Sequence, residues 1–337
     1  MTGLTIAMAW SASHNEAMGS AAASPSIVSG RRPFRLGLRF SLRTFLAAIT
    51  IFCVLLGWRL HRAKMQREAV SAIRDGAGRL HYDYERLDFL TGEIDAEARP
   101  WEPAWLLALV GIDFFHDVTD VSAPTDYGRG PAARIAPHLG RLSALRSIEV
   151  NLDEAEMRQI GRFRRLESFG LWNWWEVSDE SVQELCQLPR LKHVRLGDSP
   201  VSDRSLALLA RLPNLEVLEL QGTRITDDGL AVLAGHPRLR GLGIGGSPRR
   251  KGSFSDAGLV HLARLPQLEE LNLEFTRVTP AGLAALQKLP RLGRLNLRGS
   301  TADDYDLVAP LFPNCRVSAE QKTPAAAASP PGEPSMP

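Results

Sequence analysis

The sequence predicts an α/β solenoid, a curved horseshoe with a parallel concave sheet and convex helices, preceded by a single transmembrane helix. Three observations carry this reading. The leading leucines Leu191, Leu215, Leu239, Leu268 and Leu292 are spaced by 24, 24, 29 and 24 residues, and a fixed period in that range belongs to stacked repeats. Within each period a short alternating apolar stretch, as in Leu218 and Leu220, is followed by apolar residues at helical spacing, as in Leu230 and Leu233. The stretch Thr44 to Trp58 is uncharged and strongly apolar.

That stretch sets the N-terminal organisation. Its 15 residues cover about 22 Å as a helix, short of the roughly 30 Å of a hydrocarbon layer. Extension to Phe40 and Leu60 gives 21 residues, enough to span if Arg43 and Arg59 snorkel to the interfaces, with Trp58 at the interfacial level. Ten basic residues lie between Arg31 and Arg74 against Glu68 alone, a local +9 that leaves −7 for the remainder of a chain of net charge +2. The basic charge therefore belongs to the span and not to the repeats, which argues against a nucleic-acid partner. The sequence RLHRAK after Trp58 offers no cleavage site, so an anchor in the lipid bilayer through Phe40–Leu60 is expected rather than a removed signal. Basic residues are balanced on the two sides and leave the orientation undecided; the acidic body makes an exported C-terminus the more natural one.

Residues 1–39 are rich in Ala, Ser, Met and Gly without a sustained period and are expected to be disordered, as is the Pro/Ala-rich tail 318–337. The span is assigned to 40–61. Between them and the repeats, 62–116 is expected to hold a helix running on to Arg74, a strand in RLHYDYE (Arg79 to Glu85), and a short apolar helix, Trp101 to Val110, that caps the stack with Phe114 and Phe115. The repeat domain is assigned to 117–317, with degenerate strands at 117–123, 144–150 and 165–171. It decays after Leu297, where Ala302 and Pro310 break the pattern.

The unit, written xLxxLxLxxTxITDxGLxxLxxLP, resembles the leucine-rich-repeat family, in the variant with Ser or Thr where many members have Asn or Cys: Ser199, Thr223, Ser247, Thr276 and Ser300. The likeness covers about 118–317. The basic-flanked helix followed by REAVSAIRDGAGRLHYDY is similar to membrane-anchored bacterial leucine-rich-repeat proteins. The resemblance implies a bacterial cell membrane and a non-catalytic scaffold that binds a protein or peptide. Within the unit, Ser178, Ser202, Thr226, Ser255 and Thr279 stand at helix N-caps, followed by an acid or by Pro280, which favour a first turn. Pro213, Pro237, Pro266 and Pro290 close the units.

The outward positions of the strands are the candidate partner-binding residues: His193, Arg195 and Gly197; Val217, Glu219 and Gln221; Gly241, Gly243 and Gly245; Glu270, Asn272 and Glu274; Arg294, Asn296 and Arg298. The glycine unit makes a notch between Glu219 and the pair Glu270, Glu274, with Arg294 and Arg298 as a positive rim, fit for an extended segment or a basic side chain. The same positions also suit plain solvated strand residues. The five-residue insertion in SPRRKGSF offers Arg249, Arg250 and Lys251 to an acidic partner or to lipid headgroups, or forms a solvated loop. Trp172, Trp174 and Trp175 follow a strand and serve either as interface anchors or as packing.

Catalytic, metal and cofactor signatures are lacking. His116 and Asp117 adjoin in DFFHD and read as a capping segment, and His236 replaces a leucine column as a half-buried structural residue. Cys53, Cys186 and Cys315 form no CxxC pair, and Cys186 reads as a small buried apolar residue. A structural envelope role, with repeats packing on like molecules, is the second reading, and an enzyme using 78–117 a remote third.

Overall fold

The structure is a computed structural model that describes residues 42–85, 98–123, 130–172, 177–248 and 250–320, with Trp172 described through its backbone only. The chain divides into two compact units, Met1–Phe52 and Cys53–Pro337. The first contributes the start of α1 (Leu42–Asp75), an unbroken helix of 34 residues, about 51 Å long. Its apolar window has a mean hydropathy of 1.6 with no residue buried, so α1 is long and apolar enough to cross a membrane. Phe40 and Ser41 lie outside the described residues.

In the second unit ten strands form one sheet in sequence order. They are β1 (Arg79–Tyr82), β2 (Val118–Ser122), β3 (Ser147–Glu149), β4 (Ser168–Trp172), β5 (His193–Gly197), β6 (Val217–Glu219), β7 (Gly241–Gly243), β8 (Glu270–Asn272), β9 (Arg294–Asn296) and β10 (Arg316–Ser318). β1 pairs antiparallel with β2, and each later strand adds in parallel. The helices are α2 (Ala104–Val110), α3 (Gly130–Leu139), α4 (Glu154–Met157), α5 (Asp179–Leu185), α6 (Asp203–Leu209), α7 (Asp227–Leu230), α8 (Asp256–Leu262), α9 (Pro280–Leu283) and α10 (Tyr305–Val308).

The leucines of the repeat lie between sheet and helices. Leu215, Leu218, Leu220, Leu230 and Leu233 are fully buried, and Val201, Ile225, Phe254 and Val278 close the interior on the return from the strand. Parallel pairing needs a crossover, and the crossover helix covers the sheet's inner face, which is why one unit presents only half a core until its neighbours stack. In three units the Ser/Thr column closes the turn after the strand: the hydroxyls of Ser199, Thr223 and Thr276 donate to the carbonyls of Leu196, Leu220 and Leu273 at 2.7–2.8 Å.

The acids after the N-caps do more than favour a first turn, because each carboxylate reaches the next unit. Asp203 accepts from Thr226 N (2.9 Å) and Thr226 Oγ1 (2.6 Å), and Asp256 accepts from Thr279 N (2.7 Å) and Thr279 Oγ1 (2.6 Å). Asp227 takes Ser255 N and Oγ at 2.8 and 2.9 Å and Gly258 N at 2.8 Å. Asp179 does the same for Ser202, and Ser205 Oγ also donates to it. Burial raises the Asp179 pKa, but the hydrogen bonds from Ser202 and Ser205 outweigh it and hold the carboxyl below its ordinary value. Gly229, Gly258 and Gly282 stand where a Cβ would overlap the reaching carboxylate. Pro280 replaces the acid after Thr279 and ends the ladder.

Two details differ from the sequence reading. The helix assigned to the cap, α2, buries no residue. The last turns of α1 enter the core instead, through Ala63, Ala69, Val70 and Ile73. Cys186 is exposed rather than buried, because it follows the buried Leu185 at the C-cap of α5, off the core-facing stripe.

Candidate functional site

Strand register places the outward side chains in two rows. One row runs Asp120, Ser147, Ser168, His193, Val217, Gly241, Glu270, Arg294, Arg316. The other runs Glu149, Gly170, Arg195, Glu219, Gly243, Asn272, Asn296, Ser318. Between β6 and β10 the face encloses a hollow of about 400 Å³. Its floor is Gly241, Gly243 and the strand backbone, and Glu219, Gln221, Glu270, Asn272, Arg294, Asn296 and Arg316 line it. The structure thus brings together nine of the sequence-selected residues: Val217, Glu219, Gln221, Gly241, Gly243, Glu270, Asn272, Arg294 and Asn296.

Apart from Arg316, the charges in this hollow are already engaged. Arg195 donates to Glu219 through Nε (2.7 Å) and to Glu149 through Nη1 (2.5 Å), spanning β3 to β6. Gly170 lies beneath that span, where a Cβ would come within 3.2 Å of Glu149 Cγ. Burial alone would lower the Arg195 pKa, but the hydrogen bond and charge of Glu219, with those of Glu149, raise it. Arg294 pairs with Glu270. Glu274 accepts from Asn296 Nδ2 at 2.6 Å, so it braces amides rather than offering an open acid. Arg316, which the sequence reading missed because it follows the decayed repeat, makes no ion pair among the described residues and adds a cation at the far edge. The signal was Val317, whose apolar side chain sits one register step beyond Leu295.

The glycine notch has two physical origins. Gly241 and Gly243 form the floor, over which Val217 and the Gln221 amide lean. Gly245 and Gly246 lie off the strand, pressed against backbone: a Cβ on Gly245 would meet Glu274 O at 2.6 Å, and one on Gly246 would meet Phe275 O at 2.6 Å. That approach seats the insertion, a tight turn in which Ser247 N donates to Arg250 O at 2.7 Å. Arg250 and Lys251 are exposed but do not line the hollow; Arg298 is exposed and outside it too. His193, at the other end of the face, has its pKa lowered by burial. Trp172 ends β4 opposite Gly197. Trp174, Trp175 and Arg249 lie outside the described residues.

His116 and His236 are each held by neighbouring groups of the fold. His116 does not pair with Asp117, which binds Arg62 at 2.7 Å. Its ring lies between Asp83 (Nδ1, 2.7 Å) and the buried Glu102 (Nε2, 2.8 Å). His236 is buried, and its Nδ1 accepts from Leu239 N at 3.2 Å. Among the described residues no His, Cys, Asp and Glu side chains gather as a metal-holding group.

A family model described as leucine-rich repeat matches residues 211–234, a stretch that contains β6 and α7. Comparison with curated proteins finds no match. Among solved structures, the chain is similar to an internalin from Listeria monocytogenes, with 18% identity, 61% of this chain and 59% of that chain covered, and a TM-score of 0.40. The chain thus spans about three fifths of that protein's length. The pattern matched at 211–234 recurs in the units on either side, with Val194 for Leu218 and Ile244 for Leu220, so the repeats stack as a solenoid of leucine-rich-repeat type.

Proposed function

We propose that the protein is a membrane-anchored, non-catalytic recognition scaffold that holds a protein or peptide on the open face of its repeat sheet. The observation that carries this reading is the hollow over β6–β10. It is the place where glycines expose strand backbone while amides and paired charges converge. Solenoids use such extended faces for binding, and their fold alone selects no partner.

The lining defines the ligand. Glu219 and Glu270 are each held by an arginine, so a basic ligand side chain must displace one. Gln221, Asn272 and Asn296 offer donors and acceptors suited to a peptide main chain. Gln221 Oε1 is buried without a hydrogen-bond partner, so a ligand N–H there satisfies a group the free protein leaves unmet. An extended, mostly neutral segment with an acid toward Arg316 fits best. Anchoring through α1, a bacterial cell membrane and an exported repeat domain complete the proposal, supported by the apolar window of α1 and its basic flanks.

The test is a partner screen with the full chain and with the variant combining Glu219→Ala, Glu270→Ala and Arg294→Ala, each checked for intact circular dichroism. Binding should fall at least tenfold in the variant; unchanged binding removes the sheet face from the proposal. Reporters fused after Glu320 fix the compartment the repeats face. Light scattering of the detergent-solubilised chain separates a ligand-binding monomer from the self-associating envelope component.

A further inference from the structure

The helix α2 reads AWLLALV and carries no charge, yet none of its residues is buried. Trp101, Trp105 and Leu109 are 82%, 68% and 76% exposed. Trp105 and Leu109, four residues apart within α2, share one stripe, and Trp101 is exposed just before the helix's N-cap, Pro103. Outside α1 the other exposed large apolar side chains among the described residues are Val232, Val260 and Leu307, each alone on its own repeat. A folded protein leaves single apolar residues exposed without consequence, but a tryptophan-bearing stripe marks an interaction surface.

Its position says what it touches. Arg67 Nη2 donates to Val110 O at 2.8 Å, at the end of α2. Arg59 donates to Phe114 O and Phe115 O at 2.9 and 3.0 Å, with its guanidinium 5.9 Å over the Phe114 ring. Gly111, at φ 91°, makes the bend between these anchors, and no Cβ fits there against Arg67. The segment 110–115 is therefore strapped along the nine residues of α1 from Arg59 to Arg67, a rise of about 12 Å. Arg59 follows Trp58, itself 59% exposed at the close of the apolar run. Arg59 is thus committed to protein carbonyls instead of reaching freely for the interface.

We infer that α2 lies in the headgroup–acyl boundary of the bilayer that α1 enters, so that the solenoid is docked on the membrane surface and not merely tethered to it. This rests on the membrane reading of α1. The first turns past an apolar span lie at the interfacial level, where tryptophans concentrate. The strap holds the C-terminal end of α2 at Arg67, within a few turns of the apolar run's end, from where its exposed side chains can reach the level an interfacial helix occupies. The free charge near its ends is basic: Arg67, which holds Val110, and Arg99 are exposed and match anionic headgroups, while the exposed acid beside Arg67, Glu68, pairs with Arg141 at 3.7 Å. The acid in the same segment, Glu102, is buried against His116 and turned away from that surface.

The test uses the full chain in vesicles of phosphatidylcholine and phosphatidylglycerol in equal parts, carrying brominated acyl chains. Cys53, Cys186 and Cys315 are replaced by alanine, and an environment-sensitive fluorophore is placed singly at Leu109→Cys, Leu55→Cys or Leu307→Cys. The label at 109 should lose most of its emission to lipid brominated near the headgroup end, and the label at 55 to lipid brominated deep in the chains. The label at 307 should keep its emission. Quenching at 55 but not at 109 overturns the docking while leaving the anchor standing; quenching at neither overturns the anchor itself. An unquenched 109, together with oligomers that vanish in the Trp101→Ser, Trp105→Ser, Leu109→Ser variant, assigns the stripe to a second copy and overturns the proposal.

Discussion

Gly229→Ala tests whether carboxylates lock the repeats together. Gly229 is the third residue of α7, where alanine is ordinarily favoured over glycine by about 1 kcal/mol. Here a Cβ would overlap the Asp203 carboxylate, which holds Thr226 N at 2.9 Å and Thr226 Oγ1 at 2.6 Å. Displacing that carboxylate forfeits two hydrogen bonds of about 1–1.5 kcal/mol each at this half-exposed position. The propensity gain offsets about 1 kcal/mol of the loss, and the net is a destabilisation of about 1–2 kcal/mol. In an Asp203→Ala background no carboxylate is left to displace, and the same substitution should stabilise by about 0.5–1 kcal/mol. The sign reversal is the signature, with a coupling of about 2–3 kcal/mol. Urea titration of the detergent-solubilised chain, followed by circular dichroism, measures all four corners of the cycle. Equal stabilisation by Gly229→Ala in both backgrounds would show that the carboxylates do not clamp the units, and would refute the ladder.

His116→Ala strips the buried Glu102 of its partner and should cost about 3 kcal/mol, read by the same titration. Burial lowers the His236 pKa, with the Leu212 carbonyl acting the other way, so its contribution is full above the ordinary histidine value and is lost as pH falls through the lower folded value. His236→Asn, which keeps an acceptor for Leu239 N, should accordingly lose less stability than the wild type between pH 7 and pH 5, measured by the midpoint of thermal unfolding. Burial raises the Asp120 pKa, so ionisation opposes folding there, and Asp120→Asn should raise the unfolding temperature at pH 8 while having little effect near pH 4.

The period of the leucines was legible because it is a property of spacing, and burying Leu215, Leu218 and Leu230 needs only the right side chain at the right interval. The N-cap positions of Ser202, Thr226 and Ser255 were legible for the same local reason. What escaped was contact across units. The acid after each cap reads identically whether it favours its own helix or reaches the next one, and only the glycine facing it betrays the reach. α2 misled for a similar reason: an apolar heptapeptide signals burial in something, and sequence does not say whether protein or lipid supplies the apolar phase. In the hollow, the glycines of the third unit were recognised together but have separate causes, since Gly243 opens onto the sheet face and Gly245 makes room for backbone.

This separation bears on recognition. Where glycine leaves a gap in a strand row, a neighbouring side chain has leaned into it: Glu149, which Arg195 holds, over Gly170, and Gln221 over Gly243. The two are held differently. Arg195 is fixed by carboxylates on two strands, and moving it breaks charged hydrogen bonds of about 1.5–3 kcal/mol each. Gln221 hides an unsatisfied oxygen, whose burial costs about 1–3 kcal/mol. A ligand segment entering at β7 relieves that cost, by donating to the amide or by turning it out to water, whereas one entering at β4 must break the ion pairs. The face is therefore graded, rigid from β3 to β6 and yielding at β7. On the proposed reading, a peptide strand gains most by lying over Gly241 and Gly243, with its polar ends toward Asn272 and Arg316.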